Sequence, residues 1–314
     1  TNFRSLMAGR ALIGVAVGGF WSMSAAVAMR LVPTDQVPRA LAFVNGGNAL
    51  ATVVAAPAGS FLGEVIGWRY AFFCLVPISA IALLWKLKSL PRMEAESGSG
   101  PGNLLKILGR RQIAVGMGAV SLFFMGQFTL FTYLRPFLEA ITGVGASTLS
   151  LLLLGMGVAG FAGTTLIGSV VKGNLYRTLT LIPILMAFVA VALIHLGSSI
   201  VITAILLSVW GLIATAAPVA WWTWLSRSLP KDAEAGGGLM VAIIQLAITL
   251  GATIGGALFD MSGYQATFGA SSVLLLLGAS LTAVAARLGL QKTMPERHAQ
   301  HAIIPAEEGN YACF

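Results

Sequence analysis

Charged residues are scarce in this chain. Lysine, arginine, aspartate and glutamate make up 10% of its 314 residues, whereas soluble domains carry about 25%. The mean hydropathy is +0.87, and 57% of the residues are hydrophobic. This composition excludes a soluble globular core and indicates an all-α membrane protein that crosses the lipid bilayer several times.

The sequence also lacks the short motifs of metal and nucleotide chemistry. Its two cysteines, Cys74 and Cys313, form no spacing pattern. There is no CxxC, no HExxH and no GxGxxG before a helix. We therefore predict no metal site and no cofactor. An enzyme is not expected either, because no nucleophile and base lie together at membrane depth.

Acidic residues are missing from the interior of the apolar segments. All eleven aspartates and glutamates lie in loops, at segment ends or in the tail. A group that carries protons inside a membrane is usually a carboxylate with a raised pKa. The sequence offers no such group at mid-depth, and Glu64 and Asp260 are interpreted as structural residues at matching segment ends.

What the sequence does contain is a series of long apolar segments separated by glycine and proline. Each is near the ~20 residues that cross a bilayer. We predict nine transmembrane helices, at 6–31, 40–63, 69–88, 112–134, 147–171, 178–196, 199–226, 236–259 and 266–287.

Lysine and arginine are concentrated in alternate loops, and the intervening loops hold only Arg69 and Arg135. Alternation of this kind places the basic loops in the cytoplasm. The C-terminus is then cytoplasmic and the N-terminus of this sequence lies outside. The formal net charge of +8 is therefore interpreted as a topology signal, and no nucleic-acid partner is expected.

An internal repeat relates the last three segments to the first three. A shift of 196 residues places Gly59 on Gly255, Gly67 on Gly263 and Phe72 on Phe268. Parallel six-helix halves would produce such a repeat. We therefore divide the chain into the remainder of an N-terminal half (1–88), a cytoplasmic linker (89–111), a C-terminal half (112–287) and a cytoplasmic tail (288–314). Three helices are expected to precede Thr1.

Two motifs resemble a known family. Arg10-Ala-Leu-Ile-Gly14 is similar to the RxxxGxG-type motif of a fourth span, and Ala55-Ala56-Pro57-Ala58-Gly59 with Gly63 resembles the antiporter motif of a fifth, although alanine replaces the glycine before proline. The chain thus resembles the 12-span drug/proton antiporter branch of the major facilitator superfamily. The stretches 20–41, 56–69 and 233–256 are most similar to bacterial purine ribonucleoside exporters.

This resemblance implies a major facilitator-type helical bundle of which the chain holds spans 4–12. It also implies proton-coupled efflux of purine ribonucleosides such as inosine across the bacterial inner membrane, by alternating access. We expect a monomer whose partners are its small-molecule substrate, protons and lipid. A drug or sugar exporter of the same superfamily is the first alternative, and a non-transporting membrane scaffold or sensor is an alternative of another class.

Polar and aromatic residues inside the spans are the candidates for substrate binding. Asparagine and glutamine amides offer donors and acceptors to a nucleobase edge, and aromatic rings offer stacking faces. The alternative interpretation is structural: these residues form hydrogen bonds between helices and pack against lipid. The candidates are Asn45, Asn48, Gln127, Phe131, Tyr133, Gln245, Trp21 and Trp221. By contrast, Trp222 and Trp224 are predicted to form an interfacial belt near Arg227.

A second group is predicted to act in gating and coupling. Arg10 is the only ionised residue clearly inside a span; it either faces the cavity or snorkels to the headgroups. The resemblance implies that Gly14, Pro57, Gly59 and Gly63 belong to the motifs that pack the two halves and close the pathway.

Overall fold

The computed structural model describes residues 3–33, 36–89, 106–230 and 232–301. Every regular element in these ranges is helical, which confirms the all-α prediction. Besides a short turn at 106–109, the helices are α1 (Phe3–Leu31), α2 (Val37–Val65), α3 (Trp68–Phe73), α4 (Leu75–Ser89), α5 (Arg111–Phe131), α6 (Leu134–Ala140), α7 (Ala146–Leu196), α8 (Ile200–Ser228) and α9 (Ala233–His301).

Two of these helices contain a break. The backbone of α7 leaves helical geometry at Asn174 (φ −140°, ψ 55°), and that of α9 does so at Gly263 (φ 78°, ψ −174°). Each therefore consists of two segments. The breaks fall where the sequence predicts them, because Gly173–Asn174 and Gly263 interrupt the apolar pattern.

Six stretches are long and apolar enough to cross a membrane within the described residues. They are Arg69–Ser89, Arg111–Ala140, Ala146–Val171, Gly173–Leu196, Ile200–Ser228 and Ala235–Gly289. The last contains both predicted segments on either side of Gly263. The predicted spans 6–31 and 40–63 lie in α1 and α2, which are not among these six.

The repeat is visible in the backbone at its two matching glycines. Gly67 has φ 84° and ψ 151°, and Gly263 has φ 78° and ψ −174°. This region of backbone space is accessible almost only to glycine. The two glycines that the predicted repeat pairs therefore have the same kind of backbone break.

The core of the structure lies among α5, α7, α8 and α9. Where α5 meets α9, hydroxyl groups bond to the backbone of the facing helix. Thr129 Oγ1 donates to the Gly251 carbonyl at 3.1 Å, and Ser271 Oγ donates to the Gly126 carbonyl at 2.6 Å. Because a Cβ on Gly251 would overlap the Met125 backbone, glycine is what lets these helices approach so closely.

The N-terminal helices join this core through α1 and α2. Near the end of α2 that carries Arg39, Leu41 is fully buried, and a Cβ on Gly46 would lie 4.0 Å from the Phe161 ring. In contrast, no residue of α4 is buried.

Helix α9 continues to His301, so it extends into the predicted tail, which begins at residue 288. Residues 288–301 contain leucine, glutamine, lysine, glutamate and arginine, which have good helix propensity even without an apolar period. The remainder of the predicted tail (302–314) and most of the predicted linker (90–105) lie outside the described residues.

Candidate functional site

A cavity of about 330 Å³ lies between α1, α2 and α8. It is therefore bounded by both predicted halves of the chain. Its volume is at the lower end of the range of small-molecule sites. The lining residues are Phe20, Trp21, Ser24, Leu41, Val44, Gly47, Asn48 and Trp222.

Helical periodicity explains why these residues share one cavity. Residues three, four and seven apart lie on the same side of a helix. Trp21 and Ser24 meet this spacing on α1, and Leu41, Val44 and Asn48 meet it on α2. Gly47 adds space beside Asn48, because a Cβ placed there would have no atom within 4 Å.

The lining combines aromatic rings with a few polar groups. Phe20, Trp21 and Trp222 provide rings, whereas Asn48 provides an amide that can donate and accept hydrogen bonds. Ser24 Oγ donates to the Phe20 carbonyl at 2.6 Å, so its lone pairs remain as acceptors. No lining residue carries a formal charge. The surface suits a flat, uncharged ring system with polar edges.

One cation lies directly behind this lining. Lys86 Nζ is 3.7 Å from the centroid of the Phe20 ring, within the reach of a cation–π interaction. This contact connects the last turn of α4 to the cavity wall formed by α1.

The tryptophans of α8 divide between the core and the cavity. Trp221 and Trp224, three residues apart on one face, pack edge-to-face with centroids 5.8 Å apart, and Trp221 also contacts Phe123. Trp224 lies against Gly116. Trp222 points elsewhere, since successive helical residues are about 100° apart, and it lines the cavity.

This arrangement corrects the prediction for the tryptophan cluster. The interfacial belt is wrong for Trp222 and Trp224, because their exposed fractions are 3% and 1%. Trp221, a predicted binding residue, is packed in the core at 2% exposure. Helical geometry alone makes the three rings diverge, but which ring meets the cavity depends on how α8 packs against its neighbours.

The structure brings two of the predicted binding residues, Trp21 and Asn48, into this cavity. Tyr133 lies elsewhere: its hydroxyl donates to the Ala252 carbonyl at 3.0 Å, and its ring stacks on Phe259 at 5.3 Å. Phe131 and Gln245 are exposed on other surfaces.

Gln127 also lies away from this cavity. Its Oε1 is buried without a hydrogen-bond partner among the described residues. The side chain of Asn45 lies outside the described residues. Substrate contact by Gln127, Asn45 and the other residues outside the cavity stays a prediction.

The three glycines among the predicted gating residues are not closely packed by the part of the chain that the structure describes. A Cβ on Gly14, Gly59 or Gly63 would meet no atom within 4 Å, and the side chains of Arg10 and Pro57 lie outside the described residues. At the repeat-related position, by contrast, a Cβ on Gly255 would come within 2.7 Å of the Thr129 carbonyl. The gating role stays a prediction.

The described residues contain no group of three or more histidine, cysteine, aspartate or glutamate side chains that could hold a metal ion. The chemistry of the cavity is therefore that of rings, an amide and a hydroxyl group.

Comparison with known proteins places this geometry in a family. The profile of the Major Facilitator Superfamily matches residues 1–237. The chain is 58% identical over 290 residues to the "Transcription regulatory protein OpdE" of Pseudomonas aeruginosa, covering 91% of this chain and 72% of that protein. It is 40% identical over 287 residues to the "Purine ribonucleoside efflux pump NepI" of Salmonella enteritidis, with the same coverage of 91% and 72%.

A solved structure shows the same fold. The human organic anion transporter MFSD10 (TETRAN) superposes with a TM-score of 0.73 at 17% identity, over 90% of this chain and 71% of that chain. The match of the family profile to most of the chain and the two relatives establish what the helical breaks, the repeat and the two motifs indicate: the chain belongs to the major facilitator superfamily.

Proposed function

We propose that this transporter exports purine ribonucleosides in exchange for protons. Members of the superfamily are transporters and not enzymes, so the question is which cargo moves and what drives it. The observation that carries the proposal is the cavity between α1, α2 and α8, where Trp21 and Trp222 offer stacking faces and Asn48 offers an amide. The relative at 40% identity named as a purine ribonucleoside efflux pump supports the same cargo.

The proposed mechanism is rocking of two halves around this cavity. In this account the helical segments are spans 4–12 of a 12-span protein in the bacterial inner membrane, with a cytoplasmic C-terminus. The Gly59 and Gly63 face of α2 closes the pathway when the halves rock, and Arg10 tunes the coupling group. The group that carries the proton lies outside the nine segments, since they hold no acid at mid-depth.

Direct binding of radiolabelled inosine to the purified full-length protein tests the cavity. We expect Asn48→Ala and Trp222→Ala each to raise the half-saturating inosine concentration about tenfold, because each removes an interaction of about 1–1.5 kcal/mol. Trp85→Ala is the matched control, since Trp85 is a tryptophan with 72% exposure that does not line the cavity. Unchanged binding in both cavity variants, with normal folding, would remove the cavity from the proposal.

The alternative cargoes can be compared in the same assay. If the protein exports drugs or sugars instead, a drug cation or a sugar should compete with inosine for binding. The aromatic lining offers stacking faces to a flat ring. Competition by a sugar or by ethidium, but not by adenosine or guanosine, would support the alternative.

A second candidate function follows from the relative at 58% identity, which is named a transcription regulatory protein. A membrane sensor would act through a cytoplasmic partner, whereas an exporter could change transcription by lowering the concentration of a small-molecule effector inside the cell. A promoter reporter in cells that carry Trp222→Ala separates the two. Loss of regulation together with export favours the exporter, and regulation that persists without export favours the sensor.

A further inference from the structure

The cavity wall and a cationic side chain share one aromatic ring. Phe20 lines the cavity, and Lys86 Nζ lies 3.7 Å from the centroid of the same ring. The contact joins α1 to the last turn of α4. Any ligand that touches Phe20 is therefore close to a positive charge.

The charge of Lys86 matters because the cavity lining itself is neutral. The eight lining residues are aromatic, aliphatic, serine, glycine and asparagine, so none of them screens or balances the ammonium group. A ligand atom in contact with the Phe20 ring lies within about 8 Å of Nζ. At that distance and an effective dielectric constant between those of a protein surface and water, one unit charge changes the binding of a monovalent ion by about tenfold.

We propose that Lys86 is a specificity-determining residue that selects cargo by charge. It disfavours cations and favours purines that are neutral or negatively charged, such as oxopurine nucleosides whose ring ionises near neutral pH. Xanthosine belongs to this class and inosine is its neutral counterpart. The inference rests on the proposed function, since it refines the cargo of the same cavity.

Lys86 also fits a simpler role as one of the basic residues that hold α4 in its orientation. Lys88 provides the control for that role. It lies in the same last turn of α4, but two helical residues are about 200° apart, so Lys88 faces away from the side that meets Phe20. If Lys86 only fixes the orientation of α4, then Lys86→Gln and Lys88→Gln should have equal effects.

The experiment measures binding of inosine, xanthosine and tetraphenylphosphonium to the full-length protein at pH 7.5. We expect Lys86→Gln to lower the ratio of xanthosine affinity to inosine affinity about tenfold, and to leave inosine binding within about twofold. Lys86→Arg and Lys88→Gln should keep the ratio of the unmodified protein. In the unmodified protein, added salt should weaken xanthosine binding and leave inosine binding unchanged; this arm requires no variant to fold.

The outcomes separate the inference from the proposed function. Inosine binding with an unchanged ratio in Lys86→Gln and no salt effect would overturn the charge selection while the nucleoside site stands. If the unmodified protein binds neither nucleoside, the proposed cargo is wrong, and tetraphenylphosphonium then decides the inference. A gain of about tenfold for this cation in Lys86→Gln supports charge selection, and no gain overturns it.

Discussion

At the scale of single residues, the tryptophans of α8 show how neighbouring side chains take different tasks. Trp221 and Trp224 stabilise the core formed with α5, whereas Trp222 meets the cavity. The sequence predicts that rings 100° apart cannot share one surface. It cannot predict which of them faces the other half, because that depends on how α8 is rotated against α1, α2 and α5.

The packing of Trp224 against Gly116 gives a stability prediction. A Cβ on Gly116 would overlap the six-membered ring of Trp224, which is 1% exposed. We expect Gly116→Ala to destabilise the protein by about 1–3 kcal/mol through overpacking, measured as thermal unfolding in detergent. Gly118→Ala is the control on the same helix, since its Cβ would meet Leu281 at an ordinary 3.6 Å. Equal unfolding temperatures for the two variants would contradict this packing.

Truncation of Trp224 and truncation of Trp222 should affect different properties: mainly stability for Trp224, and cargo binding for Trp222. Trp224→Ala removes a core side chain and should lower stability by about 3–5 kcal/mol. Trp222→Ala also removes a buried side chain, but that side chain borders the cavity, so we expect a smaller loss of stability together with weaker cargo binding. The comparison requires only unfolding temperature and inosine affinity for the two variants. A larger stability loss in Trp222→Ala than in Trp224→Ala would show that the assignment is reversed.

At the scale of helices, glycine determines both where segments break and where they approach. The sequence predicts the breaks at Gly67, Gly173–Asn174 and Gly263, because turn residues interrupt apolar runs there. It does not predict the contacts of Thr129 with Gly251 or of Ser271 with Gly126. Such contacts depend on how α5 and α9 are rotated relative to each other, and the apolar pattern of each helix does not determine that rotation.

The break in α9 depends on a backbone conformation that suits glycine. Gly263 has φ 78° and ψ −174°, which costs other residues about 1–3 kcal/mol. We expect Gly263→Ala to lower the unfolding free energy by this amount and to shift the second segment of α9. Gly269→Ala is the control, because Gly269 lies in the helical part with no atom within 4 Å of an added Cβ. If Gly263→Ala were as stable as Gly269→Ala, the strained break would be excluded.

At the scale of the whole molecule, the two groups of helices meet toward the basic ends of α1 and α2. Leu41 is fully buried there, and Gly46 faces Phe161. At the opposite end of α2, no atom of the described residues lies within 4 Å of a Cβ added to Gly59 or Gly63. The Gly46–Phe161 contact therefore joins a helix of the predicted N-terminal half to a helix of the predicted C-terminal half.

Cross-linking tests whether Gly46 and Phe161 must separate during transport. In a Cys74→Ser, Cys313→Ser background, Gly46→Cys with Phe161→Cys should be joined by a short bifunctional thiosulfonate. We expect the link to stop export and a reducing agent to restore it, because rocking of the halves separates these positions. Full export by the cross-linked protein would contradict movement at this contact.

Much of the fold follows from the sequence, and less of the site does. The apolar segments and the family motifs are local or periodic, so they predict the all-helical fold of the family correctly. The nine spans and the two halves stay predictions. Trp21 and Asn48 were predicted as binding residues and share a cavity. The sequence does not single out Trp222, Phe20 or Lys86, because their positions at the cavity arise from contacts between helices distant in the chain.

The central claim is that the protein exports purine ribonucleosides in exchange for protons. The most direct measurement uses everted membrane vesicles that contain the full-length protein, with an inside-acidic pH gradient and radiolabelled inosine outside. The account predicts uptake that depends on the gradient, is abolished by a protonophore and is reduced by Trp222→Ala. Good expression with no uptake of inosine, or uptake that a protonophore leaves unchanged, would contradict it.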